Sequence, residues 1–178
     1  GSLKEYVKHI VMESAQRALD GGVDLADKTW LTIENGKVQS MDFAAYVKDI
    51  TRMKTAPAFD ALDLESPEND LFGNEMTNCR HFTEYSAANT KVQRAEKKIV
   101  KMLNPMEYVM DEMAQKAHHF RIRHGECDRD TSLVISAMLV LKLREAGCEV
   151  DYHSPWNTPH AGDYDLDELF AWIDGICG

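Results

Sequence analysis

The hydrophobic positions near the start of the chain follow a helical pattern. From Tyr6 onwards, apolar side chains recur mostly three or four residues apart, and the series stops at Gly21-Gly22. This spacing places them on one face of a helix. The sequence therefore predicts an amphipathic helix with the apolar positions Val7, Ile10, Val11, Ala15, Ala18 and Leu19.

A hairpin pattern comes next along the chain. Two short runs, residues 30–33 and 37–41, flank Glu34-Asn35-Gly36. An Asn-Gly pair supplies the positive φ angles that a tight turn needs, so these runs predict a small hairpin. Asp42 then stands where it can cap a helix over residues 43–53.

The middle of the chain lacks a regular pattern. Prolines and a glycine, among many Asp, Glu and Asn residues, interrupt any long element up to about Asn89. Because long irregular stretches inside domains usually serve a function, we expect functional residues here. Two helices are predicted to follow, over residues 92–103 and 106–117, separated by Asn104-Pro105.

The period changes again in the last third of the chain. Residues 119–124 alternate apolar with basic side chains and end at Gly125, which predicts a strand. Residues 131–146 then form a helical pattern with apolar side chains on nearly all sides, closed by Gly147. Such a helix is predicted to be buried on more than one face.

A second strand and helix close the chain. Residues 150–155 predict a short strand, and Asp165 with Glu168 three residues later forms a capping pattern for a helix over residues 166–176. The order strand, helix, strand, helix predicts two parallel strands joined by a right-handed crossover, a piece of a doubly wound α/β sheet. Two strands alone seldom make a stable sheet.

Composition and charge narrow the classes of partner. The chain has 178 residues, 44% of them hydrophobic, and 30 acidic against 20 basic side chains give a formal charge of −10. This charge repels phosphate backbones and anionic lipids, so neither nucleic acid nor a membrane surface is expected as a partner. No apolar run approaches the roughly 18 residues of a membrane span.

The cysteines and the first residues bear on localisation. Four cysteines show neither CxxC spacing nor the density of a disulfide-stapled domain: Cys79, Cys127, Cys148 and Cys177. Free thiols in a reducing cytoplasm fit this pattern, so a cytoplasmic protein is expected. Gly1-Ser2 resembles a protease scar, and we expect the natural protein to be longer.

Two residues follow the predicted parallel strands. Asp128 comes just after the first strand and His160 after the second. Ligands of open α/β sheets bind at these strand ends, and a carboxylate that binds one imidazole nitrogen prepares the other to accept a proton. The alternative is that Asp128 or Asp130 caps the following helix and that His160 is an exposed bystander.

Several short motifs surround these two residues. The acid precedes the histidine, as in α/β-hydrolases. The motifs include residues 120–125, 128–132, 155–156 and the closing run from Pro159-His160-Ala161-Gly162-Asp163-Tyr164 to Trp172, and further ones lie upstream at 59–60, 66–69, 71–73, 81–83 and 102–106. In these motifs, over most of its length, the chain resembles the bacterial tannases.

The resemblance implies a fold and a site. Residues 1–90 would be a mainly helical lid with a small hairpin, and residues 91–178 the C-terminal part of an α/β-hydrolase core. Asp128 would be the acid of a catalytic triad and His160 its general base. Three further residues would bind the phenolic hydroxyls of galloyl or related hydroxybenzoate esters: Lys54, Glu68 and Asp130. Without the resemblance, they would be solvated loop charges and a helix cap.

The chain departs from the family pattern in one respect. It contains no serine in a GxSxG motif, the turn that carries the nucleophile of these enzymes. We therefore expect a C-terminal half that is inactive alone and whose partner is the missing N-terminal half of the same protein, which also supplies most of the oxyanion hole. No cofactor is expected. The fragment is interpreted as truncated or proteolytic.

Two competing interpretations remain open at this stage. A metal site could draw on His118, His119, His124, Cys127 and Asp128. However, adjacent histidines on a strand point to opposite faces and no second ligand pair with zinc spacing appears, so no metal is expected. A non-enzymatic helical interaction module is indicated by the first helix and by Met102, Met106, Met110 and Met113 at helical spacing. Surfaces made to cover an absent half would also favour self-association of the fragment.

Overall fold

A computed structural model describes residues 1–54 and 57–178. The chain divides into two compact units: a sheet unit, made of Gly1–Arg52 and Ala117–Gly178, and a middle unit, Met53–Lys116. The helices are α1 (Leu3–Asp20), α2 (Phe43–Ile50), α3 (Pro67–Leu71), α4 (Glu84–Thr90), α5 (Lys97–Met102), α6 (Leu133–Glu145) and α7 (Leu166–Cys177). The strands are β1 (Leu31–Glu34), β2 (Lys37–Met41), β3 (His119–Arg123) and β4 (Glu149–His153).

The sheet unit contains two small sheets, both of which the sequence predicted. Strands β1 and β2 form an antiparallel hairpin whose turn residues Asn35 and Gly36 have φ angles of 52° and 72°. Strands β3 and β4 pair in parallel, from His119 opposite Glu149 to Arg123 opposite His153. Helix α6 connects them and ends before Gly147, whose φ of 78° suits glycine. The predicted strand, helix, strand, helix order is confirmed.

The core of the sheet unit joins the two ends of the chain. Its buried residues come from α1, the hairpin, α2 and α6: Val7, Ile10, Val11, Trp30, Met41, Tyr46, Leu133 and Ala137. The apolar face of α1 thus finds its partner in α6, more than a hundred residues later. For this reason the first 52 residues belong to the unit that carries the parallel strands, whereas the sequence placed a boundary near residue 90.

The middle unit is organised around a buried carboxylate. Asp60 is 2% exposed and accepts hydrogen bonds from His81 Nδ1 and Asn69 Nδ2, both at 2.7 Å. The backbone amides of Phe82 and Thr83 donate to its other oxygen at 3.1 and 2.7 Å. Burial alone would raise the pKa of Asp60, but the hydrogen bonds from Thr83, His81 and Asn69 outweigh it and lower the pKa to about 2.

Two helix predictions in the middle unit are wrong in extent. The helix predicted over residues 92–103 is only α5, which has no side-chain cap and no buried residue. The one predicted over residues 106–117 is absent, and a 3₁₀ turn at Pro105–Glu107 is followed by turns. Short segments without a buried face do not sustain a helix. The four methionines therefore share no helix face, and Met113 is 89% exposed, which removes the main support for a helical interaction module.

Asp60→Asn is expected to destabilise the middle unit by about 2–3 kcal/mol, because an amide nitrogen would then face hydrogen-bond donors. The folded pKa of Asp60 lies below the unfolded value of about 3.9, so its stabilisation is present above about pH 4 and is lost as the pH falls towards 2. Amide hydrogen exchange of residues 57–116 at pH 7 and pH 3 measures both effects. Asp70→Asn, at an exposed residue of α3, is the control; equal protection in the two variants would contradict the role of Asp60.

Candidate acid–histidine site

Asp128 lies in the loop that follows β3 and is held by backbone amides. Its Oδ1 accepts hydrogen bonds from the N–H groups of Asp130 and Thr131 at 2.8 and 2.9 Å. Ser132, and neither aspartate, is the N-cap of α6, since its hydroxyl accepts from Val134 N. The side chain of Asp128 is 6% exposed. The loop amides thus fix Oδ1 of Asp128, and Oδ2 faces other side chains.

The second oxygen of Asp128 meets His160. Nδ1 of His160 lies 2.9 Å from Asp128 Oδ2, and the His160 side chain is 61% exposed. The structure therefore brings the predicted acid and histidine together. Burial would raise the pKa of Asp128, but hydrogen bonds from Thr131, His160 and Asp130 outweigh it and lower the pKa. An ionised Asp128 stabilises the tautomer with a proton on Nδ1, in which Nε2 is the basic nitrogen.

A second histidine contacts the same carboxylate. His124 Nε2 lies 3.3 Å from Asp128 Oδ2 and 3.1 Å from the carbonyl oxygen of Thr131. His124 is 8% exposed, and burial lowers its pKa although Asp128 opposes this. Sequence reasoning missed this contact. The signal available was the four-residue spacing from His124, at the end of a strand, to Asp128.

The two site loops are joined backbone to backbone. Glu126 N donates to Pro155 O at 2.9 Å, and Cys127 N donates to Thr158 O at 3.2 Å. Gly125 packs so closely that a Cβ at this position would collide with the carbonyl oxygens of Thr158 and Pro159. The histidine loop therefore rests directly on the acid loop.

The far end of the histidine loop is held by arginines. Asp165 Oδ2 accepts from Arg121 Nη2 at 2.6 Å and from Arg123 Nε at 3.0 Å. Asp165 is the N-cap residue of α7, as the sequence predicted, but its carboxylate makes no capping bond to the helix and binds the two β3 arginines instead. The hydrogen bond from Arg121 is the main cause that lowers the pKa of Asp165. Both ends of the loop that carries His160 are thus anchored to residues in or next to β3.

The three residues predicted to bind phenolic hydroxyls fall into two places. Asp130 is in the sheet unit, and oxygen or nitrogen atoms of Asp128, Asp130 and His160 lie within 4.8 Å of one another. Lys54 and Glu68 are in the middle unit, where Lys54 Nζ lies 3.9 Å from Glu68 Oε1 and 5.0 Å from the centre of the Phe59 ring. The hydrogen bond from the Ser66 hydroxyl is the main cause that lowers the pKa of Glu68.

The same geometry bears on the metal interpretation. Asp128, Asp130 and His160 offer two carboxylates and one imidazole, a set that could also hold a divalent cation. His118 and His119 lie at the other end of β3, and both approach Glu149, at 3.6 and 3.1 Å. The expectation that they point apart is wrong, because His118 lies outside the strand.

Comparisons with known proteins place the chain among solved structures. A scan against family models found no match, and a search of curated proteins found none either. The native tannin acyl hydrolase from Lactobacillus plantarum matches with a TM-score of 0.96 and 42% identity over 100% of this chain. A tannase from Fusobacterium nucleatum matches with a TM-score of 0.91 and 44% identity, also over 100% of this chain. A tannin acyl hydrolase in complex with ethyl gallate matches at 42% identity, with a TM-score of 0.94.

The matches cover different shares of this chain and of the solved structures. The chain is covered completely, but it spans only 39% of each of these three structures. Among the described residues, no helix combines the length and the apolar character that crossing a membrane requires. In sequence and in fold, over its whole length, this chain belongs to the bacterial tannase family.

Proposed function

We propose that this chain supplies the acid and the general base of a serine ester hydrolase with an α/β-hydrolase fold. The observation that carries the proposal is the 2.9 Å contact between Asp128 and His160, on loops that follow two neighbouring parallel strands. Such strand-end loops are where α/β folds place their reacting groups. The order of acid before histidine along the chain also fits this fold.

The chemistry follows from the two side chains. Asp128 orients His160, whose Nε2 accepts the proton of an attacking serine hydroxyl as the oxygen bonds to the ester carbonyl carbon. His160 then returns the proton to the departing alcohol, which leaves an acyl-enzyme. A water molecule, deprotonated by the same nitrogen, releases the carboxylic acid and regenerates the serine. Asp128 remains ionised and stabilises the imidazolium in both steps.

The serine is proposed to lie outside residues 1–178, so that the chain alone is inactive. The sequence contains no GxSxG motif, and the solved relatives are more than twice as long. Helix α6 supports this, because it buries only one of its two apolar faces and leaves Ile135, Met138 and Leu141 about 40% exposed. Helix α7 exposes Phe170 and Ile173 at helical spacing. Packing of both helices against the rest of the protein would cover these faces.

The proposed substrates are galloyl or related hydroxybenzoate esters. Asp130 lies beside the acid–histidine pair, and Lys54 and Glu68 form a charged pair in the middle unit. A ring with adjacent hydroxyls is bound best by a charged donor together with strong acceptors. A family member has been solved with ethyl gallate.

We propose further that the lid includes the middle unit, Met53–Lys116, rather than all of residues 1–90. Helix α1 and the hairpin pack into the core beside α6 and are therefore part of the sheet unit. The middle unit has its own polar centre at Asp60 and is compact by itself. A separate compact unit that carries Lys54 and Glu68 fits the lid that the resemblance implies.

The phenolic specificity is tested in the longer protein that contains this chain. Lys54→Met is expected to lower kcat/KM for methyl gallate by about 10- to 100-fold, since one charge-assisted hydrogen bond to the ring hydroxyls is lost. The same change should alter kcat/KM for methyl benzoate, which lacks those hydroxyls, by less than about threefold. Lys98→Met, at an exposed lysine of α5, is the control. Equal losses on the two esters would refute the phenol-binding role.

A further inference from the structure

Glu126 is a buried carboxyl group that the mechanism above does not use. It lies two residues before Asp128 and is 4% exposed. Its Oε2 accepts a long hydrogen bond, 3.4 Å, from the backbone amide of Asn157. Among the residues that the structure describes, its Oε1 has no hydrogen-bond partner. Burial of an incompletely paired carboxyl is costly, so a compensating role is expected.

The contacts of Glu126 are directed at the histidine loop. Its amide binds Pro155 O at the start of that loop, and its carboxyl binds the amide of Asn157, three residues before His160. Asn157 has a φ of 51°, a left-handed conformation that needs local support. On the other side, the Tyr46 hydroxyl donates to the backbone oxygen of Glu126 at 2.9 Å and holds the residue in place.

The charged groups near Glu126 come from several parts of the chain. Lys28 is a basic group that faces it, but Lys28 Nζ lies 3.5 Å from both Asp27 and Asp49. Asp49, Tyr46 and Cys127 are titratable neighbours of Glu126, and Arg52 and Asp128 line the same cavity. Burial raises the pKa of Glu126 to about 7, with the Asn157 hydrogen bond and Lys28 acting against this. The carboxyl therefore changes charge near neutral pH.

We infer that Glu126 is a positioning residue, whose carboxyl sets the conformation of the histidine loop through Asn157 and so aligns His160 for proton transfer. The inference rests on the proposed ester hydrolysis. Gly125, Glu126 and Cys127 all lie against residues 155–159, and Glu126 is the one of these three with a side-chain hydrogen bond to that loop. The ionised carboxyl is the stronger acceptor for the Asn157 amide, so the loop is held more firmly above the pKa of Glu126 than below it.

Two substitutions distinguish a role of the Glu126 carboxyl in aligning His160 from a role in merely filling space. In the longer protein, Glu126→Ala is expected to lower kcat for methyl gallate by about 10- to 100-fold with KM within about threefold, because a misaligned base slows chemistry more than binding. Glu126→Gln keeps an acceptor oxygen without its ionisation. It should retain kcat within about threefold and lose an inflection near pH 7 from the profile of kcat against pH. Glu145→Gln, at an exposed position of α6, is the control.

The outcomes can be told apart. A Glu126→Ala protein with wild-type kcat, or one whose loss matches its unfolded fraction by circular dichroism, overturns the inference. The Asn157 amide proton gives a readout that does not depend on activity: its chemical shift should titrate near pH 7 in the wild type and not in Glu126→Gln. Absence of that titration in the wild type also overturns the inference. A wild-type protein that shows the titration but hydrolyses no ester overturns the proposed function instead.

Discussion

In the longer protein, His160→Ala is expected to lower kcat for methyl gallate by roughly three to six orders of magnitude. The imidazole is the one group in the proposed mechanism that moves the proton, and its Nδ1 lies 2.9 Å from Asp128. Without it, the attacking hydroxyl keeps its proton and the alcohol leaves unprotonated. Initial rates of ester hydrolysis at saturating substrate measure the effect.

Asp128→Asn should give a similar though smaller loss, because an amide favours the wrong tautomer of His160. The side chain of Asp128 is almost wholly buried, so its carboxylate affects the reaction through its contact with His160. His9→Ala, at an exposed histidine of α1, is the matched control and should leave kcat unchanged. If either His160→Ala or Asp128→Asn kept more than a tenth of the wild-type kcat, the triad assignment would fail.

Gly125→Ala is expected to lower kcat by at least about 100-fold, since the new methyl group must push the histidine loop away from the acid loop. The overpacking should also cost about 1–3 kcal/mol of stability. In the longer protein, this loss of stability should appear as a lower Tm. Steady-state kinetics and thermal unfolding of the same preparation separate the two effects.

Gly162→Ala provides the comparison for this change. Gly162 lies in the same loop as His160, but a Cβ there meets no atom within 4 Å. The variant should therefore keep both its kcat and its Tm. Wild-type activity in Gly125→Ala would show that the histidine loop does not need its close contact with residues 125–127.

Local sequence patterns predicted those elements of the fold that depend on residues close together in the chain. The spacing of Val7, Ile10 and Val11 indicated α1, and Asn35-Gly36 indicated the hairpin turn, because both depend on neighbours in sequence. The meeting of Asp128 with His160 was predictable for a related reason. Residues at the carboxyl ends of adjacent parallel strands are brought together by the strand order alone.

Other features depend on contacts between distant residues and could not be read from the sequence. The partner of the α1 apolar face is α6, so residues 1–52 form one compact unit with residues 117–178. The contact of Glu126 with Asn157 depends on how two loops distant in sequence pack together, which no local spacing encodes. Asp165 fits a capping pattern, but two arginines of β3 bind it more strongly than the helix terminus does.

The central claim is that His160 activates a serine that lies outside residues 1–178. Treating the longer protein with phenylmethylsulfonyl fluoride and mapping the sulfonylated peptide by mass spectrometry tests it directly. We expect one modified serine, in a part of the protein beyond this chain, and no modification of that serine in His160→Ala. Labelling of a serine within residues 1–178, or labelling that persists without His160, would contradict the claim.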